Sequence, residues 1–108
     1  MPYVFIQAVD IKRASAAAIE LAAQVAATLG LHPSDVVVTV AASQGVFDGS
    51  GLRNEWPSAI LHGTRRDPVA MEAALGDARR VLASAFDVST HEVWAEWCIA
   101  SIEPPANA

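Results

Sequence analysis

Pro2 stands second in the chain, directly before the strand-like run Tyr3-Val4-Phe5-Ile6. Once Met1 is removed, Pro2 carries a secondary amine at the chain terminus, a group that no other residue type supplies. Such an amine acts as a general base when burial or nearby cations lower its pKa, and it forms iminium adducts with carbonyl compounds. A proline is equally tolerated at the first position of a strand with no chemical task. Arg65 and Arg66 stand together just before Asp67-Pro68. Two guanidinium groups beside the free N–H groups of a helix start suit a carboxylate. They also suit a solvated surface, with one of them paired to Glu72 or Asp77. Lys12 and Arg13 follow the first strand at the corresponding place, with Lys12 the candidate for the same pocket and Arg13 for the surface. Glu96 lies in Trp94-Ala95-Glu96-Trp97, where strand alternation puts Trp94 and Glu96 on one side. A carboxylate among tryptophans needs a partner, water or an edge. Glu96 fits three tasks there: tuning Pro2, pairing with its ammonium form, or activating water. It also fits a salt bridge between subunits. Asp35 suits a water-activating acid or base, or a turn cap after Leu31-His32-Pro33.

Other chemistries find less support. His32, His62 and His91 show no ligand spacing, and zinc asks for three or four convergent ligands, so no metal is expected. Cys98 is the single cysteine and sits beside Trp97. It forms no intramolecular disulfide, fits a reducing compartment, and has no histidine placed beside it by local sequence. Gly45, Gly49 and Gly51 lack the spacing and following helix of a nucleotide-binding loop, and no cofactor is implied. The formal net charge of -5 disfavours nucleic acid and anionic membranes as partners. It leaves room for a small anion held by a local arginine pair. No apolar run reaches bilayer length, and no basic, apolar secretion signal opens the chain, so a cytoplasmic protein is expected. Phe47 and Trp56 suit either the roof of a pocket or a core.

The elements that must position these groups recur with an offset of about half the chain. Tyr3–Val9 reads as a strand. Ala14–Leu29 reads as a helix with Ala18, Leu21, Ala22, Val25 and Leu29 on one face. Val36–Val40 is a β-branched strand. After a connector at residues 43–56, Pro57 opens a second half with Ala59-Ile60-Leu61-His62. Asp67 and Pro68 supply an N-cap and first helical residue. Met71, Leu75, Ala78, Leu82 and Ala85 give the second helix its apolar face. Val93–Ile99 closes the pattern, and residues 100–108 form a tail whose Pro104-Pro105 wraps a neighbour or frays. The halves, roughly 2–42 and 57–99, match Pro2 with Pro57, Leu31 with Phe86 and Ser34 with Ser89. Each half is a β-α-β unit with parallel strands and a right-handed crossover. Together they predict an α/β domain (α+β by some schemes) with one four-stranded mixed sheet and both helices on one face. Hydrophobic residues make up 53% of the chain, and both sides of the strands are apolar. The uncovered sheet face is therefore expected to be an assembly surface. A ferredoxin-like domain shares the element order.

Met1-Pro2 before a strand, the doubled β-α-β pattern and the domain length together resemble the tautomerase superfamily. The likeness runs from about Met1 to Ile99. It extends to the 4-oxalocrotonate tautomerase and macrophage migration inhibitory factor groups. Leu61-His62-Gly63 before Arg65-Arg66 is similar to the third-strand exit of the cis-3-chloroacrylic acid dehalogenase group. Gly30-Leu31-His32-Pro33-Ser34-Asp35-Val36 is similar to the helix-to-strand turn of the malonate semialdehyde decarboxylase group. The resemblance implies a cofactor-free homotrimer acting on a small anionic carbonyl or unsaturated acid near a subunit interface. Pro2 would be the catalytic amine. It acts as base in tautomerisation, and in protonated form in hydration, dehalogenation or decarboxylation. Arg66 would hold a carboxylate, Asp35 would activate water, and Lys12 stands where small tautomerases carry an arginine. Leu31, Trp94 and Glu96 depart from the pocket residues of the inhibitory-factor group, and Glu96 and Val69 from those of the dehalogenase group, so no group's pocket is reproduced. They leave room for a non-catalytic trimeric binding or structural module.

Overall fold

The computed structural model describes residues 2–53 and 55–99. Met1 and the Pro104-Pro105 tail lie outside the described residues. Strand β1 (Tyr3–Ala8) leads into helix α1 (Ile11–Leu29) and strand β2 (Val37–Ala42). A small hairpin, β3 (Val46–Asp48) and β4 (Gly51–Arg53), fills the connector. The pattern then repeats as β5 (Ser58–Gly63), α2 (Pro68–Phe86) and β6 (Trp94–Ile99). The main sheet has the order β2-β1-β5-β6. Within each half the strands are parallel, and β1 and β5 meet antiparallel at the centre. Direct pairing of β1 with β2 excludes the ferredoxin-like arrangement, in which another strand splits that parallel pair.

One face of the sheet carries the core. Val4, Ile6 and Ala8 of β1 and Ala59 and Leu61 of β5 are buried against Leu21, Val25 and Ala26 of α1 and Ala78, Val81 and Leu82 of α2. The small residues Ala14, Ala17, Ala74 and Ala78 let the two helices lie close to the sheet and to each other. Buried Asp77 is satisfied by the Thr28 hydroxyl of α1 and the Arg80 guanidinium.

Both helices start on aspartate. The carboxylate of Asp10 accepts the Arg13 N–H at 3.2 Å, and that of Asp67 accepts the Ala70 N–H at 3.2 Å. Helix α1 therefore begins at Ile11, three residues before the predicted Ala14, and Lys12 and Arg13 belong to its first turn. Both helices also end on left-handed residues, Gly30 at φ 71° and Asp87 at φ 55°. A short 3₁₀ turn follows each. The first is capped by His32, whose Nδ1 accepts the Ser34 N–H at 3.1 Å, and the second by Ser89, whose hydroxyl accepts the His91 N–H at 3.2 Å.

These matching caps correct the internal alignment. Gly30 corresponds to Asp87 and His32 to Ser89, so neither Leu31 with Phe86 nor Ser34 with Ser89 is a true equivalence. The cause is a difference in length. Val9 and Asp10 alone join β1 to α1, whereas Thr64, Arg65, Arg66 and Asp67 join β5 to α2. Pro2 and Pro57 do correspond. The carbonyl of Pro2 accepts the Val37 N–H at 3.2 Å, and that of Pro57 accepts the Trp94 N–H at 3.1 Å. Leu21 is fully buried where α1 meets the sheet. Leu21→Ala is expected to cost about 2–5 kcal/mol, read by urea unfolding.

Candidate active site

The antiparallel register of β1 and β5 decides which candidates meet. Tyr3 pairs with His62, so the next position outward sets Pro2 opposite Gly63. Pro2 is fully buried and continues the helix-facing alternation of Val4 and Ile6. The C-terminal end of β5 thus arrives beside Pro2, and Arg65 and Arg66 follow it there. Asp35 precedes β2, which runs parallel to β1, and comes to the same sheet end. Arg65 is exposed and Arg66 half-buried. Neither takes the partners that a plain surface pair would take, because Glu72 pairs with Arg79 and Asp77 with Arg80. Asp35 has a structural task, since its carboxylate accepts the His32 N–H at 3.2 Å.

Three other candidates stand apart from Pro2 within one chain. Lys12 follows the far end of β1, and a strand of six residues spans about 20 Å. Glu96 lies in the middle of β6 opposite Ile60, two strands or about 10 Å from β1, on the face away from the helices. Trp94 shares that open face near the far end, opposite Ser58, and is 56% exposed.

Two residues absent from the sequence-based site complete the Pro2 end. A Cβ placed on Gly63 would lie 2.9 Å from Cζ2 of Trp97, so only glycine leaves room for the indole. The first half shows the alternative packing, with Ala8 in place of Gly63 and Val40 in place of Trp97. The larger ring is accommodated by loss of one methyl group. Its Nε1–H is buried and has no acceptor among the described residues, and the same is true of Arg66 Nε–H. A buried donor without a partner forfeits the hydrogen bond it made with water, which costs about 1–3 kcal/mol. One such donor belongs to β6 and the other to the connection that follows β5. A glycine closing an otherwise apolar strand was the one sequence signal available for this pair.

The structure also gives Cys98 a neighbour that local sequence did not, placing His62 directly opposite on the open face. His62 in turn lies 6.2 Å from the Tyr3 ring, whose hydroxyl is 2.9 Å from the Thr39 hydroxyl. Among the described residues no three metal-ligating side chains gather. No helix there is long and apolar enough to cross a membrane. Phe47 and Trp56 line a hollow of about 210 Å³ on the hairpin, where Arg53 stacks 4.3 Å over Trp56. A larger hollow, about 570 Å³, runs along α2 from Pro68 to Arg80 and includes neither Pro2 nor Arg66.

No protein-family profile and no curated protein sequence matches the chain. Solved structures do. A wild-type fused 4-OT asymmetric trimer superposes with a TM-score of 0.76 at 11% identity, covering 91% of this chain and 85% of the other. A macrophage migration inhibitory factor-like protein from Entamoeba histolytica gives 0.75 at 14% identity, covering 95% and 93%. N1, a member of the cis-3-chloroacrylic acid dehalogenase family, gives 0.72 at 14% identity, covering 91% and 74%. The chain shares the fold of these solved structures. At such identities the architecture is what the proteins share. The tautomerase-like fold here therefore has to be read for chemistry from its own residues: Pro2, Gly63, Arg66 and Trp97 at one end of the sheet. Gly63→Ala is expected to displace Trp97 and destabilise the chain by about 1–3 kcal/mol in urea unfolding. Trp97→Val removes the ring that the added methyl would strike, so the double mutant is expected to lose less than the sum of the two single losses, as a double-mutant cycle would show.

Proposed function

We propose that the chain is a cofactor-independent tautomerase of a small keto–enol carboxylate, with the Pro2 amine as general base after loss of Met1. The observation that carries this reading is the meeting of buried Pro2 with Gly63 and the Arg66 connection at one sheet end. Burial and a neighbouring guanidinium both favour the neutral amine, the form that accepts a proton. Arg66 takes the substrate carboxylate. The amine removes the enol hydroxyl proton, the oxygen becomes a carbonyl, and the electron pair moves to the adjacent carbon. The prolinium then returns the proton to that carbon, so no net change in composition occurs.

Assembly belongs to the same proposal. Tyr3, Phe5, Val37 and Trp94 stand 36%, 37%, 41% and 56% exposed on the open sheet face, a patch that two further copies of the chain would cover. In a trimer, Lys12, Trp94 and Glu96 of one copy become available to Pro2 of another. The fused 4-OT neighbour is itself a trimer. A second reading, hydration or dehalogenation of an unsaturated acid by protonated Pro2, is favoured by Asp35 lying at the same sheet end.

Intact mass is expected to show a chain lacking Met1, since a retained methionine turns the amine into an amide. Ketonisation of phenylenolpyruvate is expected to lose about 10²–10⁴-fold in kcat/KM in Pro2→Ala. Arg66→Ala is expected to weaken capture by about 1.5–3 kcal/mol, chiefly in KM. Turnover unchanged in Pro2→Ala overturns the mechanism. Hydration of an acetylenic acid without ketonisation, abolished by Asp35→Asn, selects the second reading. Turnover in neither assay leaves a binding module. Light scattering is expected to give three times the 11.4 kDa chain mass, and Phe5→Lys to release monomers.

A further inference from the structure

We propose that His62 is the cationic joint of the assembly: once protonated, it takes the Glu96 carboxylate of a neighbouring copy, so the trimer tightens as the pH falls below neutral. This rests on the assembly reading and adds its regulation. The row of the open face nearest Pro2 is Val37, Tyr3, His62 and Cys98, and Glu96 ends the next row. Two side chains of this face carry charge at or just below neutral pH, Glu96 and protonated His62. The other histidines lie off the face, His32 capping the 3₁₀ turn before β2 and His91 within the one before β6. Every lysine and arginine lies in the helices, the hairpin or the β5–α2 connection. From β1 the Tyr3 ring stands 6.2 Å from that of His62. From β6, Cys98 lies directly opposite and Glu96 two residues along. That diagonal is about 7–8 Å, and no ion pair joins His62 to Glu96 within the chain.

A carboxylate drawn into an apolar contact without a partner is costly. Covering the open face draws in one Glu96 from each copy, and His62 is the one group of that face able to neutralise it. Contacts around a ring of three copies are head-to-tail, so each copy offers His62 to one neighbour and Glu96 to the other. The strand register agrees with this pairing. His62 precedes Gly63 and lies opposite Tyr3, so a Glu96 that approaches Pro2 of another copy meets His62 at that end. An imidazole gains its charge as the pH falls through about 6.5, where phenol and thiol groups are neutral. The pair is then made, and assembly takes up protons. As the pH rises the pair is lost, and Glu96 is left covered and unpaired.

The test is light scattering of the full-length chain over a concentration series, in reducing buffer of fixed ionic strength, at about pH 5.5 and about pH 8. It reads the concentration at which half of the chain is assembled. For the wild type that concentration is expected to be about 10-fold lower in the acidic buffer. His62→Gln is expected to behave in both buffers as the wild type does in the alkaline one. His62→Lys, charged in both, is expected to assemble equally well in both. Glu96→Gln is expected to reverse the dependence, because protonated His62 then has no counter-charge. Wild-type assembly that is equal or weaker in the acidic buffer overturns the His62 assignment and leaves the assembly reading standing. So does a pH dependence that survives in His62→Gln. A monomer at every concentration in both buffers overturns the two together.

Discussion

The antiparallel pairing of β1 with β5 is the contact on which the rest depends. Each β-α-β half is parallel within itself and sends its helix to the same side. Turning one half over against the other places the start of β1 beside the end of β5. Only then does Pro2 meet Gly63, and only then does the Arg66 connection open at the Pro2 end. A parallel joint would leave the arginines about 20 Å away, at the other end of the sheet. The pairing also merges the two apolar faces into one continuous core, so the stability of the domain and the geometry of the site come from the same set of strand hydrogen bonds.

The two halves share their scaffold and differ where chemistry is possible. Caps, left-handed helix ends and 3₁₀ turns are repeated almost element for element. Four departures gather at one end of the sheet. Pro2 has a free amine once Met1 is gone, whereas the nitrogen of Pro57 is locked in an amide. The β5–α2 connection carries two extra residues and the arginine pair. Gly63 stands for Ala8, and Trp97 stands for Val40. The last two changes are linked, because Gly63 lacks the methyl group that the indole would strike and Trp97 brings a buried N–H into the core. A purely structural core would gain nothing from that N–H, because an unpartnered buried donor is unfavourable.

The open face has a different logic. It combines exposed apolar groups with a polar row running from Thr39 through Tyr3 and His62 to Cys98. Charge on this face is carried by Glu96, beside Ile60 and on the same side as Trp94. Such a surface is too apolar to be an ordinary solvated sheet face and too polar to be a second core. Its composition suits contact between chains, where aromatic side chains supply area and a few polar groups fix register.

Much of the scaffold was legible in the sequence because it rests on local rules. Alternation in Tyr3-Val4-Phe5-Ile6 marks a strand, Asp67-Pro68 marks a helix start, and the duplicated order limits how the halves can join. The start of α1 was misplaced because Asp10 caps it through a single side-chain contact that a run of alanines gives no reason to expect. Pro2 and Arg66 stand out in the sequence as candidates, one by its position and the other by its doubled charge. Which candidates share a site was not visible, since that depends on strand direction: Lys12 follows its strand as Arg66 does, yet leaves from the opposite end of the sheet. Trp97 and Gly63 were hidden for a related reason. Each is ordinary by itself, and only packing across two strands shows that the glycine makes room for the ring and that the ring's N–H has been left without a partner.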